Sequence, residues 1–290
     1  MKSKKIAIFY AILAAALYSI SIPFSKWLLN VAEPTMIAAF LYLGAGLGLM
    51  LYGLFEKLFG KEIKREPLTK KELPYTLLMV LLDIAAPILL LIGISKTNAA
   101  NASLLNNFEI VATSVIALVI FKEAISARLW IAITLVSVAS AVLSFEGVQA
   151  FSFNVGSLFV LGACVCWGFE NNCTRKISNK SSVEIVVIKG LFSGLGSLAV
   201  AFILGEGLPH IKWILCVMLL GFVAYGLSIH FYIMAQSRLG AARTSAYYSI
   251  APFLGVAFGM LVLGARLEIQ FFIGLIIMAI STYFMVKDTL

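Results

Sequence analysis

Residues 98–123 read "NAANASLLNNFEIVATSVIALVIFKE", and a second stretch of equal length repeats this pattern. It aligns without a gap on "GAARTSAYYSIAPFLGVAFGMLVLGA" at 240–265, with Ala99, Ala100 and Ser103 on Ala241, Ala242 and Ser245. Residues 14–26 align in the same way on 163–175, which pairs Tyr18 with Trp167. We therefore predict an internally duplicated chain, with repeats at 1–148 and 149–290 that together form one membrane domain.

The composition predicts that lipid surrounds both repeats. Of the 290 residues, 61% are hydrophobic and 12% are charged, against roughly 45–50% and about 25% in soluble domains. A helix needs about 20 mostly apolar residues to span a bilayer, and ten segments approach this length. These segments are 5–29, 34–55, 75–96, 98–120, 127–145, 155–177, 183–204, 211–236, 241–263 and 267–286.

The number of predicted helices in each half indicates how the halves are related. Because five is odd, the second half enters the membrane from the side opposite to the first. The expected fold is an all-α integral membrane protein of ten transmembrane helices, arranged as two inverted five-helix repeats. Transporters commonly use this plan and bind substrate near the midplane, where the repeats meet.

The basic residues predict the orientation of the chain. One set of helix ends contains Lys2, Lys4, Lys5, Lys57, Lys61, Lys64, Arg65, Lys70, Lys71, Lys122, Arg128, Arg175, Lys176, Lys180, Arg238, Arg243 and Lys287. The opposite set contains only Lys26, Lys96, Lys212 and Arg266. Since cytoplasmic loops carry the excess of Lys and Arg, both termini are expected in the cytoplasm, on a multi-pass protein of the cell membrane. The net charge of +8 therefore indicates lipid headgroups as a partner, and no nucleic acid.

Three motifs carry a resemblance to a known family. They are "WGFENNCTRK" (167–176) in helix six, "AARTSAYYSIAPFLGV" (241–256) in helix nine and "FKEAISARLWIA" (121–132), with Glu123 before helix five. Together with the five-plus-five helix pattern they resemble the EamA-type transporters of the drug/metabolite transporter superfamily, over essentially the whole chain. The second repeat of that family often has a glutamate where this chain has Ala265, a departure that removes one helix cap or loop contact.

Helix four carries the carboxylate of greatest interest. Asn106, Glu109 and Thr113 share one helix face by their spacing, and Glu109 lies near the middle of the predicted span. Burial disfavours the charged form of a carboxylate, which suits a proton relay or a partner for a cationic substrate. The alternative is an acid held neutral by a hydrogen bond between helices.

Helix six also carries a carboxylate on a polar face. Trp167, Glu170, Asn171 and Thr174 lie on one face, where lipid would desolvate a carboxylate and an amide together. One interpretation is the wall of a binding cavity. The other is a structural network in which Arg175 or Lys189 neutralises Glu170, with Lys189 otherwise reaching the cytoplasmic surface.

Further polar and aromatic residues complete the candidate site. Asp83 lies in the middle of helix three, and Pro87 is expected to kink that helix. An ionisable group inside a membrane costs about 2.5–3.5 kcal/mol on insertion scales, so its presence there indicates a function. We assign coupling to Glu109 and Asp83. The predicted substrate-binding set is Tyr18, Asn106, Glu109, Trp167, Glu170, Asn171, Tyr225, Tyr247 and Tyr248.

These residues predict a secondary active transporter of a small organic solute. Acids and aromatic faces favour a cationic or zwitterionic amine or amino acid, moved by alternating access with proton coupling or exchange. A neutral nucleoside or sugar carrier, a channel and an intramembrane enzyme remain the alternatives. The sequence has no Walker, HExxH or GxSxG motif, so we expect no enzyme, no cofactor and no metal.

Overall fold

The computed structural model describes residues 2–58, 66–96, 105, 108–143, 155–263 and 269–289. The described residues form a bundle of helices at all ten predicted spans. These are α1 (Lys2–Ser19 and Ser21–Leu28), α2 (Pro34–Leu58), α3 (Leu73–Lys96), α4 (Phe108–Val119), α5 (Ala127–Leu143), α6 (Val155–Ile177), α7 (Ser182–Ile203), α8 (Ile211–Leu239), α9 (Ala241–Tyr248 and Ala251–Leu263) and α10 (Ile269–Thr289). The predicted all-α, ten-helix fold class is confirmed.

The outer surface of the bundle is apolar, as expected for contact with lipid. Among the described residues, five helices have the length and composition to cross a membrane, namely α2, α3, α7, α8 and α10. Large side chains such as Leu81, Ile203 and Ile276 are 62, 83 and 64% exposed, which would be unfavourable in water. The protein is therefore a multi-pass membrane protein.

The packing of the helices shows the same duplication as the sequence. When each helix is replaced by its counterpart in the other half, contacting pairs correspond to contacting pairs. α3 packs on α6 as α8 packs on α1, and α4 packs on α6 as α9 packs on α1. The pairs α2–α7 and α5–α10 are each mapped onto themselves when the halves are exchanged. Because these contacts join the two halves, both repeats contribute to one bundle. The predicted junction between residues 148 and 149 lies outside the described residues.

The crossing of α2 and α7 depends on two glycines. A Cβ atom added to Gly190 would lie 2.4 Å from the backbone nitrogen of Gly46 and 2.7 Å from the carbonyl oxygen of Tyr42. No side chain fits at that distance from backbone, so small residues are required for the helices to approach. This close crossing positions the neighbouring Lys189 inside the bundle.

The N-terminus of α9 is held by a carboxylate from the first repeat. Lys122 adopts a left-handed backbone conformation, with φ of 56°, and the next residue, Glu123, reaches across to α9. Its carboxylate oxygens accept hydrogen bonds from the amides of Ala241 and Ala242 at 2.9 and 3.3 Å. Gly240, with φ of +87°, precedes them, and a Cβ there would meet that carboxylate at 2.3 Å. Glu123 thus satisfies amides that the helix itself cannot, while its counterpart position, Ala265, lies outside the described residues.

Candidate functional site

A cavity of about 420 Å³ lies between the two repeats, within the size range of small-molecule sites. In the part of the chain that the structure describes, side chains from nine helices, α1 to α9, line it. Its polar and aromatic lining consists of Tyr18, Tyr42, Asp83, Glu109, Ser140, Trp167, Glu170, Asn171, Thr174, Lys189, Tyr225, Tyr232, Ser245, Tyr248 and Ser249. The cavity therefore brings together polar, ionisable and aromatic side chains from both repeats.

The structure brings most of the predicted site residues together. Tyr18, Asp83, Glu109, Trp167, Glu170, Asn171, Tyr225 and Tyr248 all line the cavity. Asn106 lies outside the described residues.

Tyr247 does not line the cavity, contrary to its predicted position. It is 3% exposed and packs in a hydrophobic cluster with Met285 of α10. Its hydroxyl donates a hydrogen bond to Oγ1 of Thr289 at 3.1 Å. Successive residues of a helix point about 100° apart, so Tyr248 faces the cavity and Tyr247 faces α10.

Three buried charges form a cluster at the cavity wall, which we call the Lys189 triad: Asp83, Glu170 and Lys189. Nζ of Lys189 lies 2.8 Å from Oε1 of Glu170 and 3.1 Å from Oδ2 of Asp83. The side chains of Lys189, Asp83 and Glu170 are 7, 1 and 4% exposed. Lys189 therefore does not reach the surface, and it is the partner of Glu170.

Two further hydroxyl groups contact the triad. Thr174 donates to Oε1 of Glu170 at 2.5 Å, one turn along α6. Tyr42 of α2 donates to Oδ1 of Asp83 at 3.4 Å. Arg175, the other predicted partner of Glu170, instead donates to Ser178 at 3.1 Å.

Glu109 belongs to a separate network that joins α4 to α6. Its Oε1 accepts a hydrogen bond from the side-chain amide of Asn171 at 3.1 Å, and the same amide donates to Thr113 at 3.2 Å. Gln236 of α8 donates to the backbone carbonyl of Asn171 at 3.0 Å. Among the described residues, no cation forms an ion pair with Glu109.

Five tyrosines from four helices form a continuous aromatic wall. Tyr225 contacts Tyr42 and Tyr18, with ring centroids 5.6 Å apart in both pairs. Tyr18 also contacts Tyr248 at 5.6 Å, and Tyr248 contacts Tyr232 at 5.0 Å. These distances are typical of favourable aromatic pairs, and Trp167 adds a sixth ring to the lining.

Irregular backbone occurs where helices pass the cavity. α1 is interrupted after Ser19, next to Tyr18, and α9 is interrupted after Tyr248. α8 contains a π-helical segment, Gly221–Leu227, that carries Tyr225. Such interruptions are typical of helices that form substrate sites in transporters.

Proline contributes to this irregularity by removing one backbone donor. Pro87 has no N–H for the carbonyl of Asp83, four residues earlier, and Pro252 has none for the carbonyl of Tyr248. Both prolines line the cavity. α3 continues as a single helix, Leu73–Lys96, across Pro87. The kink at Pro87 stays a prediction.

Sequence reasoning missed one tyrosine of this wall, Tyr42, and left the role of Lys189 open. Tyr42 lies in an apolar run of α2 with no polar neighbour to mark its face. Tyr232 lies seven residues after Tyr225, and this helical spacing indicated that both tyrosines belong to one aromatic lining. Lys189 was recognisable as an ionisable group within a span, but its partners depend on tertiary packing.

The inverted bundle and the buried polar cavity define a polytopic membrane protein built to admit a small solute. The model of the EamA-like transporter family matches the chain twice, over residues 5–145 and 154–287. Each match covers five of the ten helices. The chain belongs to the EamA-like transporter family, within the drug/metabolite transporter superfamily.

Proteins similar to this chain include one relative and one solved structure. An uncharacterized transporter of Methanothermobacter thermautotrophicus is 25% identical over 276 residues, which cover 87% of this chain and 78% of the relative. A protein of known crystal structure superposes with a TM-score of 0.80 at 15% identity, over 96% of this chain and 95% of that one. The second likeness shows the fold alone.

Proposed function

We propose that this transporter is a secondary active carrier of a small organic cation or zwitterion, such as an amine or an amino acid. The observation that carries the proposal is Glu109. It is a partly buried carboxylate in the cavity lining, held by Asn171 at 3.1 Å and in no ion pair among the described residues. A positively charged solute group is the partner that this carboxylate lacks.

The total charge of the lining supports a cationic solute. Three carboxylates, Asp83, Glu109 and Glu170, face one ammonium group, Lys189. Even with one of the three carboxylates protonated, the described lining would carry a net negative charge. An uncompensated charge is unfavourable in a site of low dielectric constant, so binding a cation relieves that cost.

The aromatic wall supports the same class of solute. The faces of tyrosine and tryptophan attract cations, by about 0.5–1 kcal/mol when exposed and about 2 kcal/mol when desolvated. Trp167 and Tyr225 line the same cavity as Glu109. A carboxylate combined with aromatic rings recognises an ammonium group better than it recognises a neutral sugar.

The duplicated architecture supports alternating access. The cavity extends to Pro34, the first residue of α2, on the side of the bundle opposite the N-terminus. On the N-terminal side, Lys180 of the second repeat pairs with Glu66 of the first at 2.9 Å. Rocking of one repeat against the other, with these ends parting, would expose the cavity to the second side. The distribution of basic residues favours the cytoplasm for the N-terminal side and for both termini.

Gradient coupling is the remaining part of the proposal. The sequence has no Walker motif, so a proton or solute gradient is the expected energy source, with Glu109 and Asp83 as the coupling candidates. Both side chains line the cavity and can exchange protons with water that enters it.

A thermal-shift screen with Glu109→Gln as the matched variant tests the solute class. The panel contains primary and quaternary amines, amino acids, sugars and nucleosides, applied to purified protein in detergent. We expect amines or amino acids to stabilise the wild type. In Glu109→Gln their affinity should fall by roughly 10- to 150-fold, since a charge-assisted contact contributes about 1.5–3 kcal/mol. Stabilisation by sugars or nucleosides alone, unchanged in the variant, would contradict the proposed solute class.

A further inference from the structure

The Lys189 triad contains one more negative group than positive groups. Asp83 and Glu170 contribute two carboxylates and Lys189 contributes one ammonium, and their side chains are all at most 7% exposed. Burial of an unbalanced charge is costly, and a buried group commonly neutralises instead. The triad therefore favours one additional positive charge.

The geometry favours a proton over a metal ion as this additional charge. Nζ of Lys189 already lies between the two carboxylates, at 2.8 and 3.1 Å from their oxygens. A sodium ion would have to displace the ammonium from this position. Among the described residues, no group of three or more metal-ligating side chains occurs.

The two carboxylates differ in how well their charged forms are stabilised. Oε1 of Glu170 accepts hydrogen bonds from Lys189 at 2.8 Å and from Thr174 at 2.5 Å. Among the described residues, Asp83 has a 3.1 Å contact with Lys189 and a 3.4 Å hydrogen bond from Tyr42. Short charge-assisted hydrogen bonds are the strong ones, so Asp83 is the carboxylate of the triad with the weaker hydrogen bonds.

We propose that Asp83 carries the exchangeable proton of this carrier, while Glu109 binds the solute. The titratable groups facing Asp83 come from four helices: Tyr42 of α2, Glu170 of α6, Lys189 of α7 and Tyr225 of α8. Asp83 also lines the cavity, so water entering the cavity can deliver and remove the proton. The use of this proton in coupling rests on the proposed function, but the presence of the proton does not.

Infrared difference spectroscopy of the purified full chain tests the assignment without any solute. A protonated carboxyl group has a C=O stretching band that a carboxylate lacks, so the proton itself is the probe. We expect the wild type to lose such a band as the pH is raised. Asp83→Asn should lack that component, and Glu109→Gln, a matched acid-to-amide change in the same cavity, should retain it.

Lys189→Met provides an independent second variant that keeps Asp83 itself. Without the ammonium the carboxylate form of Asp83 is less stable, so the band should persist to a higher pH than in the wild type. An unchanged pH of disappearance in Lys189→Met would overturn the assignment. So would a band that Glu109→Gln loses and Asp83→Asn keeps. Absence of solute flux with an intact Asp83 signal would instead refute the carrier function and leave the proton site standing.

Discussion

Removing Lys189 should destabilise the protein more than removing either of its partners. In Lys189→Met, two buried carboxylates lose their only shared cation among the described residues. Their contacting oxygens lie at most about 5.9 Å apart, the sum of the 3.1 and 2.8 Å contacts to Nζ. At an effective dielectric constant of 20, two negative charges at that separation repel by about 3 kcal/mol. Breaking a buried ion pair from one side costs about 3–5 kcal/mol, and we expect Lys189→Met to fall in that range.

Asp83→Asn should cost much less, because Lys189 and Glu170 remain as a neutral pair at 2.8 Å. The expected loss is about 1 kcal/mol, the net contribution of one hydrogen bond. The decisive variant is the double mutant Asp83→Asn/Lys189→Met, which removes the repulsion between the two acids. It should be more stable than Lys189→Met alone, with a coupling energy of about 0.5–3 kcal/mol, as is found between residues in contact.

The assay is thermal unfolding of the purified variants in one detergent at alkaline pH, where the carboxylates are ionised. Lowering the pH should restore stability to Lys189→Met, because protonation removes the repulsion. The wild type provides the control at each pH. Additive effects of Asp83→Asn and Lys189→Met, with the double mutant less stable than either single mutant, would refute the charge-balance reasoning.

Three further changes test other parts of the account. Gly190→Ala should destabilise the protein by about 1–3 kcal/mol, as overpacking does, because the new Cβ meets the backbone of α2 at 2.4 Å; an unchanged unfolding midpoint would contradict the tight helix crossing. Glu123→Ala should cost about 0.5–2 kcal/mol through loss of the α9 cap, whereas Glu123→Gln, which keeps an acceptor, should cost less; equal losses would argue against capping. In titrations, Trp167→Ala should weaken binding of the amine identified in the screen by roughly 2- to 30-fold, the equivalent of about 0.5–2 kcal/mol. The control Tyr247→Phe, which lies away from the cavity, should leave binding unchanged.

The helical spans were predictable because bilayer thickness and hydropathy fix their number and length. The duplication was predictable because related helices keep small residues at matching positions, as at Ala99 and Ala241. The faces of single helices were mostly predictable as well, since period-3.6 spacing brought Trp167, Glu170 and Asn171 to the cavity.

Contacts between distant helices could not be predicted from the sequence. Lys189 pairs with Asp83 and Glu170 because α3, α6 and α7 meet, and no local pattern encodes that meeting. Tyr247 was placed on the cavity face together with Tyr248, but in the folded bundle it packs with Met285 of α10.

Counterflow in proteoliposomes tests the central claim, carriage of a cationic or zwitterionic solute through the cavity, most directly. Vesicles are loaded with the unlabelled amine or amino acid identified in the thermal-shift screen, and the same compound is added outside in labelled form. The account predicts transient accumulation of label that saturates with concentration in the wild type, with a markedly weaker apparent affinity in Glu109→Gln. Flux that rises linearly without accumulation would indicate a channel, and counterflow unaffected by Glu109→Gln would contradict the assignment of the cavity as the solute site.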